Sequence, residues 1–162
     1  MLDSLAVGLG EIKVSRNPKD VLVAYGLGSC VGLGMQDPVT HVAGLLHAIL
    51  PTHPNHNTKD QCAKYVDTGV RELLDMLLNA GANRNRLIVR MAGGANMLIA
   101  PGFSQTLNIG TRNVEAALAA LAHYNLKLSG QETGGNIGRT VRFYVTDGRM
   151  TIRTVGNQER DI

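Results

Sequence analysis

A chain of 162 residues, 44% hydrophobic but only 4% aromatic, has room for one domain, here 1–162, with a core of Leu, Val, Ile, Ala and Met. The net charge of +3 is spread along the chain apart from Arg84, Arg86 and Arg90, and few rings are available to stack on bases, which argues against nucleic-acid binding. Two cysteines make no disulfide framework, no stretch reaches the roughly 18 apolar residues of a membrane span, and no basic-then-apolar leader opens the chain, so the expectation is a cytoplasmic protein with reduced thiols and no membrane insertion.

Taken in order, residues 1–9 suggest an edge strand, and residues 11–15 alternate apolar and polar side chains as a strand does. Asn17-Pro18 breaks the run. Residues 20–25 (DVLVAY) read as a buried strand entering Gly26-Leu27-Gly28. Residues 31–36 and 42–50 are apolar runs around Asp37-Pro38-Val39-Thr40, which has Asp and Pro where a type I turn wants them. A loop of residues 37–40 would set Gln36 opposite His41 and Cys30 opposite His47, on one side of the sheet. Residues 51–58 (PTHPNHNT) read as loop.

From Lys59 to Ala80 the apolar period becomes three and four, marking a helix capped by Asn57 or Thr58 and closed by Gly81. Residues 86–91 read as a strand, 92–109 as irregular with a break at Pro101-Gly102, and 113–124 as a second helix ending near Asn125. A strand starts at 126–128, Thr133 to Asn136 interrupts it, and strands 139–145 and 149–155 meet at Asp147-Gly148. The fold class expected is α/β: a layered sandwich of mostly antiparallel or mixed sheets covered by two main helices.

A thiol beside an imidazole is the minimum apparatus of a cysteine nucleophile and its base. Cys30 alone reads equally as a small core hydrophobe. His47 in the run LLHAIL and the glycines beside the thiol favour the nucleophile, because glycines admit a substrate and expose N–H groups to an oxyanion. Gly28 and Ser29 are the candidates for that oxyanion-binding cleft, with the N–H of Cys30 itself. Cys62 reads as core on the helix stripe. His53-x-x-His56 has metal-ligand spacing without a third ligand nearby, and reads as a polar loop rather than a metal site. Gly26-x-Gly28 is not followed by the helix and acidic residue of a dinucleotide site. Gly93-Gly94, Asn108-x-Gly110 and Gly134-Gly135 suit plain turns or the walls of a cleft for an extended peptide. Leu98 to Phe103, apolar and irregular, suits a contact surface near that cleft or ordinary packing.

Several motifs occur in one order: GLGSCV (26–31), Asp37-Pro38, His47 with Leu50-Pro51, GGANM (93–97), Asn108-Ile109-Gly110 with Arg112-Asn113, and Thr133-Gly134-Gly135 with Arg139. Together they resemble CheD, the chemoreceptor glutamine deamidase family, over roughly residues 5 to 156. The resemblance implies a cysteine-hydrolase sandwich of the cytotoxic necrotizing factor type. It implies hydrolysis of glutamine side chains on methyl-accepting chemotaxis receptors, with Cys30 as nucleophile, His47 as base and no cofactor. It also implies a CheC-type CheY-phosphate phosphatase as a partner competing for the same cleft. The family's third catalytic residue is a threonine six positions before the cysteine. Here that position is Ala24, which leaves two expectations: the Ala24 backbone carbonyl orients His47, or the protein is a catalytically weak binding module that regulates the phosphatase.

Overall fold

The computed structural model describes residues 1–97 and 108–162; the segment Leu98 to Phe103 and the Pro101-Gly102 break singled out above lie outside these residues. Among the described residues, ten strands and two α-helices form three layers. β1 (Asp3–Ala6), β3 (Asp20–Leu27), β8 (Arg139–Tyr144), β9 (Met150–Arg153) and β10 (Arg160–Asp161) make one sheet, in that order. β2 (Glu11–Ser15), β5 (Ala43–Ala48), β4 (Val31–Gln36), β6 (Ile88–Gly93) and β7 (Leu128–Thr133) make the other. Both sheets are mixed: β1–β3 and β6–β7 are parallel and the other pairs antiparallel. The expected α/β content and layering are therefore present, with both helices on one sheet.

Alternation of side chains assigns the layers. Val31, Leu33 and Met35 of β4 and Leu46 and Ala48 of β5 point toward the helices, where they bury against α1 (Val66–Asn79) and α2 (Ile109–His123). Ala43 and Leu45 of β5 point the other way, into a core shared with Leu22, Ala24, Val141 and Phe143 of the first sheet. The two sheets approach closely because β4 carries glycine on this face. A Cβ on Gly34 would lie 2.7 Å from the Phe143 ring, so even alanine there would overpack the core by about 1–3 kcal/mol.

Both helices end as their sequences suggest. Gly81 has φ +105°, its N–H reaches the Leu78 carbonyl, and the Ala82 N–H reaches the Leu77 carbonyl. That paired closure satisfies the last carbonyls of α1. Asn125 (φ +57°) and Leu126 repeat it on Ala122 and Leu121 at the end of α2.

The start of α1 differs from expectation. Residues 59–65 are not α-helical: Cys62–Lys64 is a short 3-10 turn and Tyr65 is extended. The Lys64 carbonyl accepts the N–H groups of Ile49 and Leu50, and Leu50 bridges to Tyr65, so the end of β5 captures this segment. Asn57 and Thr58 are too far upstream to cap the helix; Tyr65 stands at the N-cap without a side-chain hydrogen bond. The short β10 carries no pattern in the sequence, while β9 is shorter than its apolar run.

The β4–β5 turn also differs. Asp37 N–H bonds to the Val42 carbonyl and His41 N–H to the Asp37 carbonyl, with His41 at φ +61°, so the loop closes at Val42 rather than Thr40. The register is Gln36↔Ala43, Gly32↔His47 and Val31↔Ala48. The predicted pairing of Cys30 with His47 is thus displaced by two residues, since Gly32 stands opposite His47. An even displacement keeps both side chains on the same face.

Candidate active site

The β4–β5 ladder ends at Val31↔Ala48. Beyond it β5 turns toward Lys64, as above, and the chain before β4 is held from other directions. The Gly28 carbonyl accepts from Ala95 N (2.9 Å), the Ser29 carbonyl from Asn113 Nδ2 (2.9 Å), and the Cys30 carbonyl from Gly94 N (2.8 Å). Three successive carbonyls are tied down. The N–H groups of Gly28, Ser29 and Cys30, in contrast, reach no carbonyl of the described residues. A loop whose carbonyls are fixed in this way holds its N–H groups in place, which suits it to receive negative charge. Gly93 is required beside it: φ is +106°, and a Cβ would fall 2.2 Å from the Cys30 carbonyl oxygen.

Cys30 is half-buried against the core between the sheets. Burial pushes its thiol up from the ordinary value, partly offset by its own backbone N–H. His47 alternates with Ala43 and Leu45, so its ring enters the same space, where it is only 4% exposed. Its Nδ1 lies 2.9 Å from the Val7 carbonyl. A carbonyl can only accept, so Nδ1 is the donor, which leaves Nε2 as the ring atom able to take a proton. Nε2 is buried with no hydrogen-bond partner among the described residues.

The carbonyl meeting the imidazole was expected from Ala24 and comes from Val7. Ala24 sits in β3 opposite Val141, its methyl group in the inter-sheet core. Val7 leaves β1 with its N–H on the Val23 carbonyl, and its own carbonyl turns inward over β5. The same turn returns Gly10 N–H to the His47 carbonyl at 2.8 Å, so residues 7–10 grip His47 at ring and backbone. No hydrophobic pattern announces this, because the group involved is a main-chain oxygen.

Arg139 was legible only as part of a motif. It is 7% exposed and reaches the Gly93 carbonyl (Nη1, 3.1 Å), the Gly134 carbonyl (Nη2, 2.7 Å) and Glu132 Oε2 (Nε, 3.1 Å). With Gly134 N–H on the Gly93 carbonyl and Asn96 N–H on the Gly135 carbonyl, it fastens the 93–96 and 133–135 loops beside the Cys30 loop. The glycine pairs are therefore turns that meet at one edge of the site.

Two other sequence candidates lie elsewhere. Cys62 is buried in the 3-10 turn, donating to the Thr58 carbonyl and touched by Arg71 Nη2 at 3.7 Å, rather than on the apolar stripe of α1. Both ring nitrogens of His53 are occupied, Nε2 by the Asp60 carbonyl and Nδ1 by Asn55 N–H, which leaves no lone pair for a metal. His56 is exposed and faces Asp67.

A family model described as "CheD chemotactic sensory transduction" matches residues 49–154. The chain belongs to the CheD family. That span begins just after His47, but full-length relatives extend it across Cys30 and His47. A probable chemoreceptor glutamine deamidase CheD of Symbiobacterium thermophilum is 45% identical over 97% of this chain and 96% of the relative. The chemoreceptor glutamine deamidase CheD of Thermotoga maritima is 40% identical over 95% and 94%, and a probable one of Pyrococcus abyssi 39% over 96% and 94%. Among the described residues no helix is long and apolar enough to cross a membrane.

Proposed function

We propose that this protein hydrolyses glutamine side chains of methyl-accepting chemotaxis receptors to glutamate and ammonia, using Cys30 and His47. The observation that carries the reading is His47 Nε2, buried without a partner among the described residues, in a ring whose other nitrogen is fixed by Val7, on the face that also carries Cys30. The names of the full-length relatives supply the substrate class. Burial pushes the thiol up, and His47 acts as general base in the attacking step.

In that step Nε2 takes the Sγ proton as sulfur bonds to the carboxamide carbon. The N–H groups of the 28–30 loop face the oxyanion. The C–N bond breaks as Nε2–H protonates the leaving nitrogen, giving ammonia and a thioester. Nε2 then takes a proton from water, hydroxide adds to the thioester, and the C–S bond breaks to release glutamate and reprotonated thiol. No metal or organic cofactor enters these steps. The likeness to toxins of the cytotoxic necrotizing factor type belongs to the same proposal, as does a cytoplasmic place of action, where a thiol nucleophile stays reduced.

The test is a receptor cytoplasmic fragment incubated with the protein and read by mass spectrometry for glutamine-to-glutamate conversion. Conversion by the wild type and none by Cys30→Ala is expected; conversion by Cys30→Ala at the wild-type rate would sink the assignment. The second reading, a binding module regulating a CheC-type phosphatase, is favoured by the alanine at position 24 and by burial pushing the Cys30 thiol up. Tight phosphatase binding by a wild type that converts no glutamine would select it.

A further inference from the structure

We propose that Asn113 is a positioning residue of the Cys30–His47 pair, an inference that rests on the dyad reading above. Asn113 is the fifth residue of α2, wholly buried, in a helix otherwise rich in alanine and leucine. Its Nδ2 donates to two carbonyls, those of Ser29 and Ile49, both at 2.9 Å. One precedes the nucleophile by a residue; the other follows the base by two. Two acceptors demand the NH2 end of the amide, so its orientation is fixed by chemistry.

The place is where the β4–β5 ladder has just ended. Ile49 and Leu50 give their N–H groups to Lys64, and Cys30 gives its carbonyl to Gly94 on the β6 side. The two strands are drawn apart there, and no backbone bond joins Ser29 or Cys30 to Ile49 or Leu50. Asn113 bridges that fork. It fixes the opening within which Sγ and Nε2 must meet, while leaving the opening free of a ladder that would fill it.

Asn113 Oδ1, like His47 Nε2, is buried without a partner among the described residues, so the amide acts on the fork through Nδ2 and the two flanking carbonyls.

The experiment compares Asn113→Ala, Asn113→Gln and Asn113→Asp in the full chain. Three readouts are taken: kcat and KM on the receptor fragment, the pH profile of Cys30 alkylation by iodoacetamide with buried Cys62 as internal reference, and Tm. The clamp predicts kcat lowered about 10–100-fold by Asn113→Ala with KM within about twofold, and a displaced alkylation profile. Asn113→Gln, which keeps the NH2, recovers part of kcat. Asn113→Asp, which sets a carboxylate oxygen against two carbonyls, is the slowest of the three. Wild-type kcat and alkylation profile in Asn113→Ala, or a kcat loss that only tracks the unfolded fraction, would overturn the clamp. Loss without any recovery in a folded Asn113→Gln would overturn the donor argument. Full activity in Cys30→Ala marks failure of the dyad reading instead, and the alkylation profile judges the clamp even if no receptor glutamine is converted.

Discussion

The two ends of one strand pair, β4 and β5, are built on opposite terms. At the turn end, Asp37 is fully buried and every approach to its carboxylate is filled. Arg86 donates through Nε (3.0 Å) and Nη2 (2.7 Å), and the N–H groups of Asn83 and Val39 come to 2.8 and 2.9 Å. Arg86 and these N–H groups hold the carboxyl well below the usual carboxylate range. At the other end the ladder opens, the Cys30 thiol is pushed up by burial, and His47 Nε2 and Asn113 Oδ1 have no partner among the described residues. The contrast lies in the buried Asp37–Arg86 ion pair rather than in polar satisfaction throughout, since buried Gln36 Oε1 at the turn end also has no partner among the described residues. One strand pair thus carries an anchor and a site about as far apart as its length allows.

Substitutions at the open end should change rate and those at the closed end stability. His47→Ala should lower kcat by about 10³-fold or more, since it removes both proton transfers, with the circular dichroism spectrum retained. Gly93→Ala should lower kcat by about 10²-fold, because its Cβ has no room beside the Cys30 carbonyl and must shift the nucleophile; wild-type kcat there would mean the Cys30 loop tolerates displacement. Asp37→Ala should lower Tm by about 5 °C or more while kcat stays within about twofold; a large kcat loss at unchanged Tm would break the comparison.

The pH dependence of stability has a definite sign at the closed end. The folded-state pKa of Asp37 lies below its unfolded value, so its contribution is present above about pH 4 and is lost as pH falls through the folded value. Denaturant titrations below pH 4 should show a shallower acid loss in Asp37→Asn than in the wild type. The smallest effect is expected for Ala24→Thr: with Val7 already on Nδ1, kcat should change less than about threefold. A gain of an order of magnitude would mean that the missing hydroxyl limits the native protein.

Much of this was readable beforehand where periodicity speaks. β2 and β4 match their sequence patterns, the α1 stripe from Val66 to Leu77 is the buried one, and Gly81 closes the helix. The face shared by Cys30 and His47 followed from alternation alone. The pairing did not, because His41 adopts a left-handed conformation that no turn rule assigns to it, and the loop grew by two residues. Val7 was invisible because its contribution is a carbonyl oxygen set by a turn forty residues from the histidine in sequence. Asn113 carried a faint signal, a polar residue on the buried side of an apolar helix, whose partners only the tertiary structure supplies.

The central claim is that Cys30 forms a thioester with a receptor glutamine while His47 moves the protons. Acid-quenching the reaction within the first turnovers and mapping the adduct by peptide mass spectrometry tests it most directly. The account predicts a species of mass enzyme plus receptor peptide less ammonia, on Cys30, that is absent from Cys30→Ala. Continued conversion of glutamine with no adduct, or with an adduct on Cys62, would contradict it.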